Sequence, residues 1–298
     1  MTEKGFAENG RNGARASGQA GVNGRGFSRD EERKLLLEAR EGDPRALRRL
    51  LERLSPPIYR FGRSFCRDSD DAEDVMQEVL VSLVRSIPTI RGGSSLTTWA
   101  YTVARRACHR QRRRAGRAGP AAPAPELPEP ESPAPDPGAE MERRELETAL
   151  RDAIRTLPPA YREAVVLRDL EGLPAREAAR ILGVSERALK SRLHRARIAL
   201  RDRLAPRFGS RPEAAHRPGC AEAGRLLNRY LDGELDRRAC AAMQVHVDAC
   251  PSCGAACRAL RDALAFCKRP GARRLPPGAR ESLRRAIRGA LDEIAATA

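Results

Sequence analysis

Along most of this chain apolar residues recur three and four positions apart, the spacing that gathers them on one face of a helix. In DAEDVMQEVLVSLVRSI, Val75, Val79 and Leu83 stand four apart, and so do Met76, Leu80 and Val84, which together make a wide buried stripe. In SSLTTWAYTVARRACHRQRRR, Leu96, Ala100, Val103 and Ala107 share a face. In LPAREAARILGVSERALKSRLHRARIALRDRL, Ala178, Ile181 and Leu182 line a short helix, and Leu189, Leu193, Ala196 and Leu200 line the next. The closing stretch ESLRRAIRGALDEIAATA sets Leu283, Ile287, Leu291 and Ile294 on one stripe. No stretch alternates with period two over any length, so the predicted fold class is all-α.

Breakers divide the helices into units. Residues 1–27 carry seven glycines and almost no periodic apolar positions, and are read as a disordered leader. Order is expected from Ser28, a candidate N-cap, with Gly42-Asp43-Pro44 separating the first two helices. A first helical module is predicted over 28–114. Eight prolines between Pro120 and Pro137 then make 115–140 an extended linker, because each removes an N–H donor and fixes φ. A second module covers 141–205, a short linker 206–217, a small Cys/His-bearing helical domain 218–268, and a C-terminal amphipathic helix 269–298.

Charge narrows the partners. Lys and Arg number 56 against 40 Asp and Glu, a formal +16 that favours polyanions. No run of about 18 apolar residues is present, and the N-terminus lacks a basic-then-apolar signal, so a cytoplasmic protein without stable membrane insertion is expected. The final helix, with Asp292 and Glu293, has a short apolar face for a membrane surface. In a reducing compartment the eight cysteines suit metal ligation, redox sensing or core packing better than a disulfide framework.

Beside the first stripe lie Asp71, Asp74 and Glu78, which could simply solvate an exposed face. The helix after it delivers six arginines between Arg105 and Arg114 without one acid. Arginines neutralise phosphates and release counterions, and aromatic faces such as Trp99 and Tyr101 can stack on an unpaired base. Core packing competes for those aromatics, Trp99 lying one turn from Val103. In the second module Gly183 suits the positive φ of a helix end and Ser185 can cap the helix that follows. The outward positions Arg187, Lys190, Ser191, His194, Arg195 and Arg197 are then left to meet a major groove.

Near the C-terminal end, HVDACPSC places His246 and Cys250 one helical turn apart with Cys253 in the turn after. Tetrahedral zinc takes such N/S ligands and needs a fourth. Unligated small cysteines in a helical bundle are the bland alternative.

These residues resemble a family. DAEDVMQEV followed by RGGSSLTTWAYTVARRACHRQRRR is similar to region two of the bacterial extracytoplasmic-function sigma factors, promoter-specificity subunits of RNA polymerase of the sigma-70 family. The helix-turn-helix, with LPPAYREAVVLRDLEGL before it, resembles region four. The resemblance implies that Asp71, Asp74, Gln77 and Glu78 face core polymerase and that Arg91–Ser95 form the loop capturing a flipped base. By the same carry-over, Trp99, Tyr101, Arg105, Arg106 and Arg110 lie along promoter DNA. Arg106 stands where the family usually has Asn. The Cys/His region resembles a zinc-binding anti-sigma domain, which implies Cys220 as the fourth ligand of a Zn2+ site, ahead of Cys240 and Cys257.

The function implied is promoter-directed initiation, regulated in cis by a metal- or redox-responsive tail, with a separate anti-sigma partner left open. Two alternatives stand beside it: a helix-turn-helix regulator that works without polymerase, and an anti-sigma or adaptor protein. No nucleophile–base constellation or phosphate-cradling glycine loop supports an enzyme, since His109 and His194 sit in basic helices and His216 in a loop.

Overall fold

The computed structural model describes residues 22–23, 27–66, 68–90, 95–115, 137–204, 206, 219–234, 236–251, 253–255, 257–258, 260 and 275–297. Most of the leader, residues 116–136 of the proline-rich stretch, all but Ser95 of the 91–95 loop, His216 and Cys267 lie outside the described residues, while 137–140, expected in the linker, are helical. Eleven helices are labelled here: α1 Arg29–Arg40, α2 Pro44–Phe65, α3 Ser69–Ser86, α4 Leu96–Ala115, α5 Pro137–Arg155, α6 Pro159–Val165, α7 Ala175–Leu182, α8 Glu186–Leu204, α9 Cys220–Leu231, α10 Arg237–Ala249 and α11 Pro277–Thr297. The fold is all-α apart from a two-residue antiparallel ladder, β1 Val22–Asn23 with β2 Phe27–Ser28. No helix among the described residues is long and apolar enough to cross a membrane.

Helix starts follow local chemistry. Asp43, Asp68 and Asp236 cap α2, α3 and α10, each side chain accepting from a backbone N–H at 2.8 Å, a contact worth about 1 kcal/mol. Ser185 accepts from Ala188 N at 3.2 Å to start α8, and Gly183 ends α7 at φ 67°, where a Cβ would be strained. Helix α2 runs through Pro56 and Pro57 without a break. Each proline costs roughly 3 kcal/mol in a helix interior, but Ile58, Tyr59, Phe61 and Phe65 on the far side are all buried, and their burial outweighs that cost.

Most of the buried apolar residues form one continuous cluster from Leu35 to Ile287, with Cys220, Ala223, Cys250 and Ala255 outside it. Helices α1–α4 make one bundle and α5–α8 another, α4 packing on α7, while α9 packs on α8 and on α10. Helix α11 lies across α3 and α2, burying Ala279, Leu283 and Ile287, with Leu291 half-buried; the Ile294 side chain lies outside the described residues. The sequence reads as two modules separated by an extended linker. In this structure the two also meet directly, through a seam of buried polar contacts.

Candidate nucleic-acid interface and metal centre

Cys220 opens α9, His246 lies in the last turn of α10, Cys250 caps it, and Cys253 follows within one turn. One ligand atom from each of the four lies within 4.8 Å of the others. Gly219, at φ 95°, has no Cβ to collide with the His246 ring, whose Nδ1 would stand 3.0 Å away. Two observations fit a metal here. Among the described residues, His246 Nε2 is buried without a hydrogen-bond partner, a deficit of roughly 1–3 kcal/mol that ligation relieves. The Cys253 thiol is held far above its usual range by burial, and then by hydrogen bonds to and charge on Cys220 and Cys250. Sulfurs this close resist ionising together unless a cation sits among them, so binding a dication would release protons. Cys240 and Cys257 are not in this group.

The seam between the bundles is built from three acids, each only 4% exposed: Glu163 on α6, Glu171 in the turn between α6 and α7, and Glu177 on α7. Glu163 accepts from Arg105 Nε at 3.1 Å and pairs with His109 Nε2 at 2.7 Å. Glu171 accepts from Arg60 through Nε and Nη2, both at 3.1 Å, and from the Tyr101 hydroxyl at 2.8 Å. Glu177 accepts from Thr98 Oγ1 at 3.0 Å and from Arg29. A π turn, Val166–Leu170, sets this up: its extra residue rotates the chain so that Asp169 meets α8 while Glu171 meets α2 and α4. Tyr101→Phe deletes one donor while Arg60 still pairs Glu171, so a loss of about 1–2 kcal/mol is expected in denaturant titration.

A second polar contact ties α8 to α9. Arg197, 1% exposed, donates to both oxygens of Asp169 at 2.9 and 2.7 Å and to Asp232 Oδ1 at 2.9 Å. Burial alone would lower its pKa, but the two carboxylates outweigh burial and raise it. Lys190 Nζ reaches Glu234 at 2.6 Å on the surface beside it. His194, on the same helix, is held below the ordinary 6.5 by burial and by the neighbouring arginines 197, 225, 195 and 201.

Comparison with known proteins places these parts. Sigma-70 region 2 matches residues 50–118, Sigma-70 region 4 matches 147–200, and a putative zinc-finger family matches 220–254. The chain is 33% identical over 178 residues to the ECF RNA polymerase sigma factor SigM of Mycobacterium tuberculosis, covering 59% of this chain and 87% of that protein. The chain belongs to the ECF sigma factors. It is also 32% identical over 165 residues to RNA polymerase sigma factor CarQ of Myxococcus xanthus, covering 55% of this chain and 92% of that one. Among solved structures, the sigma factor RpoE from Bartonella quintana, in complex with the anti-sigma factor NepR, aligns with TM-score 0.44 and 24% identity over 59% of this chain and 97% of that one.

Set against the sequence reading of an ECF sigma factor, the outward-facing residues divide. Arg187, Lys190, Ser191 and Arg195 are exposed on α8 and Arg106 on α4, while Trp99 and His194 are half-buried. Two expectations are corrected. Tyr101 is not available to a base but 1% exposed, edge-on to Phe61 at 5.5 Å, because its hydroxyl has a carboxylate to serve. Arg197 does not face outward, because it follows Ala196 in the core stripe and two acids neutralise it there. Asp74 and Glu78 are exposed on α3, and Asp71 and Gln77 half-buried. Glu78 pairs with Arg110, so a residue read as polymerase-facing holds one read as DNA-facing. Sequence reasoning missed Glu163, Glu171, Glu177 and Asp232. The available signal was acids embedded in otherwise buried helical stretches, as in VVLRDLEGL.

Proposed function

We propose that this chain is a promoter-specificity subunit that directs core RNA polymerase in the cytoplasm, carries out no catalytic step itself, and is restrained in cis by a C-terminal region holding Zn2+ through Cys220, His246, Cys250 and Cys253. The observation that carries the restraint is the position of α11: it lies on α3, with Ser282 Oγ donating to Glu73 at 2.6 Å, one helical turn before Gln77. A polymerase surface large enough to take Asp71, Asp74, Gln77 and Glu78 would meet that helix beside them on α3, although Asp74 and Glu78 themselves are exposed. At the other end, Glu234 occupies Lys190, an exposed basic side chain of the helix that would read DNA, and Asp232 ties the buried Arg197 of the same helix to α9. In the closed form Arg105 and Arg110 pair with protein carboxylates, and promoter phosphates would have to displace those partners. This supports double-stranded promoter DNA and polymerase as partners, with room for a separate anti-sigma protein. Bound zinc would hold the thiolates ionised and fix α9 against α10.

The test combines core polymerase with the full chain and with a chain ending at Arg211 on a library of promoter fragments, with run-off transcripts sequenced. Start sites sharing two upstream elements are expected. Failure of both chains to bind core polymerase would leave only the polymerase-independent or adaptor readings. For the metal, about one zinc per chain is expected by elemental analysis, and Cys250→Ser with Cys253→Ser should remove it; unchanged metal content rejects the ligand set.

A further inference from the structure

We propose that Cys66 and Cys108 form a second thiol site, a dithiol that hydroperoxides convert to a disulfide independently of the Cys/His cluster. The two are 42 positions apart in sequence, yet their sulfurs stand 3.4 Å apart, bringing the end of α2 against the middle of α4. An S–S bond of about 2.05 Å requires them to close by little more than an ångström. The backbone can supply that shift on one side, because Cys66 is the C-cap of α2, in extended conformation (φ −79°, ψ 165°) beyond the helix proper. The other side is fixed: Cys108 is 3% exposed in the interior of α4.

Access is unequal in the way that a disulfide-forming pair requires. Cys66 is half-exposed and can meet an oxidant, its sulfur also lying 3.4 Å from Gln111 Oε1. Cys108 borders a shallow crevice whose walls include Phe65, Arg105, His109 and Glu163. The hydrogen bond with Cys66 and burial both push the Cys108 thiol well above its usual range, so it keeps its proton until a partner is ready. A protonated thiol attacks slowly, so its contact with Cys66 at 3.4 Å, not its acidity, is what lets it resolve an oxidised Cys66. The Cys66 thiolate attacks the outer oxygen of the hydroperoxide; the O–O bond breaks, the alkoxide leaves as the alcohol after taking up a proton, and Cys66 becomes a sulfenic acid. Cys108 sulfur then attacks Cys66 sulfur, its proton leaving with the displaced hydroxyl as water. Two thiols and one hydroperoxide give one disulfide, one alcohol and one water. When the oxidant is hydrogen peroxide, both products are water.

The bond would close a loop containing all of α3 and tie the arginine-bearing α4 to α2. Stabilisation of the α1–α4 bundle through the restricted unfolded chain is the expected consequence.

The test treats the metal-loaded full chain with graded hydrogen peroxide, alkylates the remaining thiols, and maps peptides without reductant. A Cys66–Cys108 linked pair is expected at doses that leave the metal bound, together with a melting temperature several degrees higher that reductant reverses. Cys66→Ser should show neither the link nor the rise, while melting like the reduced parent before oxidation. Recovery of both cysteines alkylated, or as sulfinic acids, at doses that have already released the metal would overturn the proposal. So would a melting rise that persists in Cys66→Ser.

Discussion

A chain ending at Arg211 is expected to support run-off transcription roughly 5–150-fold more strongly than the full chain at equal, limiting core polymerase, the range of a coupling free energy of about 1–3 kcal/mol. The truncation removes α9–α11 and with them two contacts that compete with the proposed partners. One is the docking of α11 on α3, where Ala279 is wholly buried, Leu283 and Ile287 pack into the shared core, and Ser282 binds Glu73. The other is the pair of acids on α8, Asp232 on Arg197 and Glu234 on Lys190. The seam of Glu163, Glu171 and Glu177 belongs to the sigma modules and survives truncation, so the short chain still has to open when it meets polymerase. That keeps the expected gain within the coupling range rather than beyond it. Ala279→Glu in the full chain is a companion that keeps every domain: it brings a second carboxylate to a wholly buried position one turn before Leu283, on the face α11 turns to α3. It should move output in the same direction by a smaller factor. A short chain that binds core polymerase but transcribes no better than the full one would make the tail a working part of initiation and not a restraint.

What was legible in the sequence was periodic. The stripes Val75/Val79/Leu83 and Leu189/Leu193/Ala196/Leu200 turned out buried throughout, and the turn Gly183-Val184-Ser185 has the left-handed glycine and the capping serine that its residues called for. The four residues proposed to hold zinc are brought together from two helices and a turn. The seam was illegible for a physical reason. A carboxylate in a helix reads as solvent-facing until its partners are known, and the partners of Glu171, Arg60 and Tyr101, lie 111 and 70 positions away. Glu32 shows the same thing. In the first turn of α1, where an acid usually faces solvent, it is 5% exposed and accepts from Leu96 N and Thr97 at the start of α4. Burial pushes its pKa up despite those bonds. A raised carboxyl pKa means that the folded state holds the proton more tightly than the unfolded chain, so this group's contribution to stability declines as pH rises from about 4.5 through the raised value. Nor does any spacing rule connect Cys66 with Cys108, which meet only because α2 and α4 cross.

Arg197→Ala is expected to cost about 3–5 kcal/mol in denaturant titration, far more than loss of a surface DNA contact, because it strands Asp169 at 4% exposure without its guanidinium. A recognition-helix arginine with no structural role would instead leave the unfolding midpoint unchanged and lower only DNA affinity. Since Arg197→Ala puts the fold of α6–α8 itself at stake, Asp232→Asn separates the two consequences. Asp169 keeps both of its bonds from Arg197, while the charge that joins α8 to α9 is lost. Its side chain is 13% exposed, so the expected loss is about 1–2 kcal/mol, confined to the α8–α9 contact. Asp232→Asn should then raise transcription by the full chain several-fold, toward but not beyond the level of a chain ending at Arg211, where Arg197 keeps only Asp169. The exposed Lys190–Glu234 pair gives the scale for comparison: Glu234→Gln is expected to change stability by less than about 1 kcal/mol. If Asp232→Asn and Glu234→Gln behaved alike, the buried guanidinium would not be what holds the C-terminal domain on the DNA-reading helix, and the restraint would have to rest on α11 alone.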